Sequence, residues 1–480
     1  MTVDERPDLV VVGAGMAGLS AAVSAVEAGA EVMVLEKGDR AGGSLRLSAG
    51  LVWTYETVAE AREAVPAGEP ELQRLVVEGL DGAFAWLDSL GVTVQEPPVE
   101  LPTGDVVTAP TPGANCGKID PDEYVDRMLA RVDEAGGEVA LGTPMTDLLT
   151  DSGRVIGARI DGSEAPVDVA AGAVLLATGG FQGDPELVQR YVTPRVENLW
   201  LRANPWSTGD GFEAARDVGA TATAGLDTFY GHNMAAPPAE VDPDSFLALT
   251  QYYGPFAVAI DRHGERFADE SESDLEHTLA QDTAHEAGGR AYYVLDGRLY
   301  DDEVFSMGHV GSIVERAADA GAEVLREPTL DDLGEALYGV GVDGDRAVAT
   351  IRAYNEAVRA GDADRLDPPR RDHARPIDTP PFYAVAVQPG ITFTMGGLAV
   401  DDRLRVLRRA ASPSRMARGD PGDGNENPGP SVRPIPGLYA AGVDVGGVNH
   451  RGYMGGLATA LVTGRRAGRT AVGAEPPDGA

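Results

Sequence analysis

The chain has 480 residues, long enough for two or three domains, and its 43% hydrophobic content belongs to a protein that buries a core, which excludes disorder throughout. Its 39 basic against 76 acidic residues leave a net charge of −37, and only two of the basic residues, Lys37 and Lys118, are lysine. Such a surface repels nucleic acid and anionic lipid, so neither is expected as a partner; it suits either an ordinary acidic enzyme from a GC-rich genome or a halophile whose charges are screened by concentrated salt.

The first residues, MTVDERPD, carry no basic stretch followed by an apolar core, so no signal peptide is expected and the protein is placed in the cytoplasm. The apolar run from Leu9 to Leu35 is broken by Glu27 and Glu31, which reads as strand and helix rather than a membrane span. Within it, DLVVVGAGMAGLSAAVSAVEAGAEVMVLEKG gives a β-branched strand, a turn with Gly13, Gly15 and Gly18, an alanine-rich helix, and a second strand ending at Glu36. That context turns a weak G-x-G-x-x-G match into a dinucleotide fingerprint: Gly13 for the turn, Gly15 for close approach of a pyrophosphate, Gly18 for helix–strand packing, and Glu36 for a ribose. GVGVDG, with Gly339, Gly341 and Gly344, repeats the spacing but follows the helix-like LDDLGEALY, and reads as a loop.

Further along, QYYGPFAVAIDRHGERFADES reads as strand, polar turn, strand, and DRAVATIRAYNEAVRAG as an amphipathic helix. From about Arg409 to Pro434 the composition falls to Gly, Pro, Ser, Asp and Asn, predicting a flexible surface insertion. At the C-terminus a helix is predicted from Gly456, with Leu457, Leu461, Gly464 and Gly468 on one face. The glycine pair opening it leaves bare N–H groups where an anion docks. Cys116 alone makes no disulfide framework or cysteine cluster, the seven histidines show no close metal-ligand spacing, and no G-x-S-x-G elbow occurs, so no metal is expected and a serine hydrolase is disfavoured.

GGSLRLSAG from Gly42, VLLATGGF from Val174, STGDGFEAARDVGA from Ser207, and TMGGLAVD with GLYAAGVDVGG near the C-terminus resemble the FAD-dependent fumarate reductase and succinate dehydrogenase flavoprotein superfamily, which includes the 3-ketosteroid dehydrogenases. The resemblance runs through nearly the whole chain in family order. It implies an α/β fold with a discontinuous, Rossmann-like FAD-binding domain, residues 1–222 and 379–480, and an inserted α+β cap, 223–378, over the flavin. It places Gly13, Gly15, Met16, Ala17 and Gly18 at the pyrophosphate, Glu36 and Lys37 at the adenosine ribose, and Gly42, Gly43, Ser44 and Ser48, Ala49, Gly50, Leu51 beside the ribityl chain and ring. Ala177, Thr178, Gly179 and Gly180 would end a strand pointing at the cofactor, with Asp210, Gly442 and Asp444 nearby and Asp444 holding ribityl hydroxyls. Succinate dehydrogenases tether FAD through a histidine in the early loop; Gly42 to Val52 contains none, so the FAD is expected to be non-covalent.

In the same resemblance Gly456 and Leu457 turn their N–H groups to the pyrimidine edge of the flavin, and Tyr453 faces the substrate. Fumarate reductases carry arginine where this chain has Tyr453, and a histidine pair where it has Thr392 and Phe393, which argues against a dicarboxylate and for a small-molecule carbonyl substrate. Ketosteroid dehydrogenases use such a tyrosine to hold the substrate carbonyl, so a CH–CH oxidoreductase working next to a carbonyl, as dehydrogenase or ene-reductase, is expected. Their cap tyrosine is replaced by Asp274, leaving Tyr252, Tyr253 and His232 as candidate bases. Arg266 and Glu270 read as an internal ion pair of the cap or as substrate contacts. His450 and Arg451 keep open an organic-acid substrate, and a flavin protein without turnover is a third alternative. Turnover also needs an electron acceptor or donor, which no motif specifies.

Overall fold

The computed structural model describes residues 6–100, 104, 106–107, 111, 113–162, 165–303, 308–409 and 432–477. In chain order the elements that position the site begin with β1 (Leu9–Val12), α1 (Met16–Glu27), β2 (Val32–Leu35), β3 (Glu138–Ala140), β4 (Ala173–Leu176) and β5 (Trp200–Leu201). The middle of the chain adds β6 (Phe229–Ala235), β7 (Val258–Ile260), α2 (His277–His285), β8 (Ala291–Asp296), β9 (Val324–Glu327), α3 (Leu330–Gly339) and α4 (Gly344–Ala360). The last elements are β10 (Phe382–Thr394), β11 (Arg405–Arg409), β12 (Val432–Ala440) and α5 (Gly456–Ala471).

One six-stranded sheet has the order β11–β12–β4–β1–β2–β3, parallel except for the β11–β12 pair. Every residue of β1, β2 and β4 is buried, as expected of a parallel sheet covered on both faces, which is why these strands read as unbroken Val, Leu and Ile-like runs. The sheet joins strands from both ends of the sequence. Its first turn needs a glycine at 13, where φ is +103° and a Cβ would lie 2.2 Å from the Ala177 carbonyl oxygen. Helices α1 and α5 meet backbone to backbone: Cβ atoms on Gly464 and Gly468 would lie 2.3 and 2.1 Å from the carbonyl oxygens of Ala17 and Ala21.

The second sheet is built on β10, thirteen residues long. Its first half pairs with β8 and β9 and its second half with β5 and β6; β7 extends the sheet beyond β8. Helices α3 and α4 bury Leu333, Leu337, Ala347 and Ile351 against it, and GVGVDG is the turn between them. Of the hairpin read at QYYGPFAVAIDRHGERFADES only β7 forms; after the turn there is a single bridge, Ile260 to Arg266. The reason is that Arg266 turns inward, donating to Glu270 and to the carbonyls of Pro368 and Pro369, while Arg370 also reaches Glu270. That satisfies buried charges at the cost of a strand. Residues 410–431, most of the expected insertion, lie outside the described residues.

Candidate active site

A deep cavity runs from the N-terminus of α1 to an aromatic chamber against the second sheet. At the first end Gly13, Gly15, Met16 and Ala17 are on the wall. The N-cap of α1 is Gly15, with no side-chain cap and no acidic residue in the first turn, so its N–H groups are open to the cavity. A Cβ on Gly15 would meet nothing within 4 Å, which leaves room for a phosphate. Glu36 follows, its two oxygens each accepting a backbone N–H at 2.7 Å, from Ala14 and from Gly38. Lys37 and Asp210 are also on the wall, paired at 2.9 Å. Gly43, Ser44, Ser48, Ala49 and Leu51 line one side, and Ala177, Thr178, Gly179 and Gly442 the other. Gln182 Oε1 is buried there without a hydrogen-bond partner. Open helix N–H groups, the gap at Gly15 and this spare acceptor fit an FAD.

Five residues expected at the cofactor are off the wall among the described residues: Gly18, Gly42, Gly50, Gly180 and Asp444. Gly18 packs on Gly13, a Cβ there lying 1.8 Å from the Gly13 carbonyl oxygen. Asp444 is buried and accepts from the Thr178 N–H, the Thr178 hydroxyl and the Gly180 N–H, tying the end of β4 to the turn after β12.

The chamber at the other end is made by Trp53, Tyr230, Tyr252, Phe256, Phe393 and Tyr453, with Leu275 and Gly456. Tyr453 is 7% exposed. Its hydroxyl accepts the N–H of Gly456 at 2.8 Å. Gly455, the N-cap of α5, has no side chain to do so. The Gly456 N–H, expected at the flavin, is here donated to the phenol, which caps the helix, and Gly456 and Leu457 both line the wall. Burial pushes the Tyr453 phenol up to about 12, opposed by that N–H and by the Tyr230 hydroxyl. The Tyr230 and Tyr453 rings stack with centroids 3.7 Å apart, and Trp53 meets Tyr453 edge-on at 5.4 Å.

Behind Tyr230 lies a buried polar chain. Tyr230 Oη is 3.0 Å from His232 Nε2, and His232 Nδ1 is 3.2 Å from Glu276 Oε2. Glu276 also accepts from Asn233 and from Tyr293. Burial raises the Glu276 carboxyl to about 8, against the pull of these donors, and drives His232 well below its ordinary range, so the pair is a neutral hydrogen bond rather than an ion pair near pH 7. Tyr230 and His232 are i, i+2 neighbours on β6; His232 is a candidate from the sequence, whereas nothing local marks Tyr230. Asp274 is on the wall too, and pairs with His373 at 2.6 Å.

Three other candidates are elsewhere. Tyr253 is fully buried behind the wall and donates to Gln251 at 3.0 Å. Arg451 is held away from the cavity by Glu272 and Asp282, with bonds of 2.8 and 3.0 Å, and His450 sits beside Gly225. Arg202, not singled out in the sequence, enters the chamber wall from the end of β5; its signal was a lone cation in the apolar run LWLRANPW.

A family model for an FAD binding domain matches residues 8–458. The chain is 28% identical to a fumarate reductase (cytochrome) of Shewanella frigidimarina, over 97% of this chain and 76% of that one. It is 26% identical to the 4-oxocyclohexanecarboxylate 2-dehydrogenase of Sinomonas cyclohexanicum, over 97% and 93%. It spans only about half of some other curated relatives, 51% of one and 47% of another. The crystal structure of 3-ketosteroid Δ1-dehydrogenase from Sterolibacterium denitrificans superposes with a TM-score of 0.72 over 98% of this chain and 99% of that one, at 20% identity, a likeness of fold. No described helix is long and apolar enough to cross a membrane. The match over residues 8–458 makes the chain a member of the FAD binding domain family, with FAD as its cofactor.

Proposed function

We propose that the protein is an FAD-dependent oxidoreductase acting on a carbon–carbon bond next to a carbonyl, as a dehydrogenase or, in reverse, an ene-reductase. The observation that carries the reading is Tyr453, a phenol on the chamber wall whose oxygen is capped by the first N–H of α5. Because that oxygen accepts from the helix, its own proton is free to be donated to a substrate carbonyl. The positive end of the helix favours the negative charge that then builds on the carbonyl oxygen.

FAD, when bound, supplies the two-electron acceptor or donor. The N-terminus of α1 would hold its pyrophosphate, Glu36 and Lys37 its adenosine ribose, and the walls at 43–51 and 177–179 the rest, without a covalent bond. Residues 1–222 and 379–480 would form the cofactor domain and 223–378 the cap; β5 and β10, from the first and last of these segments, complete the second sheet. With Glu276 ionised, above about pH 8, the proton leaving the carbon beside the carbonyl goes to Tyr230 Oη as Tyr230 passes its own to His232 Nε2 and His232 passes its Nδ1 proton to the Glu276 carboxylate. The chain of groups runs away from the chamber into the buried interior, so the proton is held on Glu276 out of contact with solvent.

An organic-acid substrate held by Arg451 is the second reading, favoured by the relatedness to a fumarate reductase. Against it, Arg451 already has two carboxylates. Anaerobic mixing of the yellow holoprotein with cyclic ketones and, separately, with dicarboxylates tests both. Bleaching by ketones supports the reading; bleaching by dicarboxylates alone supports the second; no bleaching by either class, with no reoxidation of the reduced protein by enones, leaves a flavin protein without turnover.

A further inference from the structure

Among the described residues two cationic side chains lie on the cavity wall, and their situations are opposite. Lys37, near the adenosine end, is paired with Asp210 and also donates to Thr208. Arg202, in the aromatic chamber, is 9% exposed and makes no ion pair with a described carboxylate. Its Nη1 donates to the Thr392 hydroxyl at 2.9 Å, and its Nε is buried with no hydrogen-bond partner.

The groups whose charge it feels are Tyr230, Tyr453, His232 and Glu276. Burial keeps the phenols protonated and the imidazole neutral, and holds Glu276 up at about 8, so none is a full counter-ion near pH 7. A guanidinium taken out of water with an unused donor is unfavourable unless a ligand brings the acceptor. With Nη1 on Thr392, the fork left for that ligand is Nε and the terminal nitrogen on the same side, the geometry that matches both oxygens of a carboxylate.

We propose that Arg202 is the anion subsite of the chamber, binding the carboxylate of a carbonyl compound that carries a single carboxylate, while Phe393, Tyr252 and Trp53 enclose its apolar frame. This rests on the carbonyl chemistry assigned to Tyr453 and adds the substrate class: one unpaired cation takes one carboxylate, whereas a dicarboxylate would need a second.

The test uses the FAD-loaded protein and two probes of the same shape, cyclohexanecarboxylate and cyclohexanecarboxamide, with binding read from the perturbation of the flavin absorption spectrum. The parent should bind the carboxylate at least about tenfold more tightly than the amide. Arg202→Gln, which can keep the Thr392 bond, should lose on the order of 10- to 100-fold in carboxylate affinity with amide affinity and FAD content unchanged. Arg202→Lys, which keeps the charge without the fork, should fall between and serves if the Gln variant does not fold. Equal affinity of the parent for the two probes, no spectral response to either, or equal loss of both in the variants overturns the proposal. Loss of FAD from the Gln or Lys variant also overturns it, by making Arg202 a cofactor ligand. Bleaching of the parent by a neutral cyclic ketone tests the carbonyl chemistry separately, so the two readings fail by different results.

Discussion

Glu276 occupies a backbone conformation that residues other than glycine rarely adopt, with φ at +67°, and its carboxyl is fully buried. The strain is held in place by the donors around it, Asn233 and Tyr293, and by His232. Burial raises the carboxyl from 4.5 to about 8 in the folded chain. Between those values the folded state keeps a proton that the unfolded state has lost, so this group's contribution is complete below about 4.5 and is lost as pH rises toward about 8. The slope is about 1.4 kcal/mol per pH unit for one proton. Denaturant unfolding of the parent and of Glu276→Gln at a series of pH values should therefore show the parent losing ground to the variant from pH 5 to 8, with the two curves parallel above that; parallel curves throughout would deny the shift. Rates give an independent check. If Glu276 must be ionised to receive the proton, flavin bleaching by a ketone should speed up as pH passes about 8 in the parent, and the Gln variant should be slow and flat.

The N-terminus of α5 is an element that works only because of what lies ahead of it. Gly455 has φ of +97°, and a Cβ there would lie 1.7 Å from the Trp53 carbonyl oxygen, so the turn presses against the strand 51–54 and tolerates no side chain. Gly455→Ala should cost about 3 kcal/mol or more in denaturant unfolding and lower retained FAD; a neutral result would mean that the turn is not fixed by this contact. The helix, its glycines and its apolar face were legible from spacing alone, as was the strand–turn–helix at Gly13. The cap by Tyr453 was not, because it depends on the chain folding back three residues with a positive φ between. The missing second strand at Arg266 was also hidden: its alternation is that of a strand, and only the distant Arg370, Pro368 and Pro369 reveal why its arginine points inward. Arg202 escaped for a similar reason, since an arginine's partners, or their absence, are tertiary facts.

For the whole molecule, the sheet order joining β1 to β12 follows from family order in the sequence, but the way β10 serves as the spine of the second sheet does not, since pairing over such distances leaves no local periodicity. The net charge of −37 belongs to this scale as well. Exposed pairs such as Arg159–Asp168, Arg346–Glu265 and Arg352–Asp331 are screened by solvent and add little, so self-repulsion among the remaining acids dominates the surface. If the surface is adapted to salt, the melting temperature should climb steeply as KCl goes from dilute to concentrated, and a flat response would mark an ordinary acidic protein. The account of the molecule as a carbonyl-directed oxidoreductase rests on Tyr453, and rapid mixing of the holoprotein with any ketone that bleaches it tests that most directly. Tyr453→Phe keeps the ring in its stack and removes the donor, so FAD should stay bound while flavin reduction slows on the order of a hundredfold or more, and Arg451→Ala should reduce at nearly the parent rate. Reduction of the Phe variant at the parent rate, with the Arg451 variant failing to bind, would contradict the account.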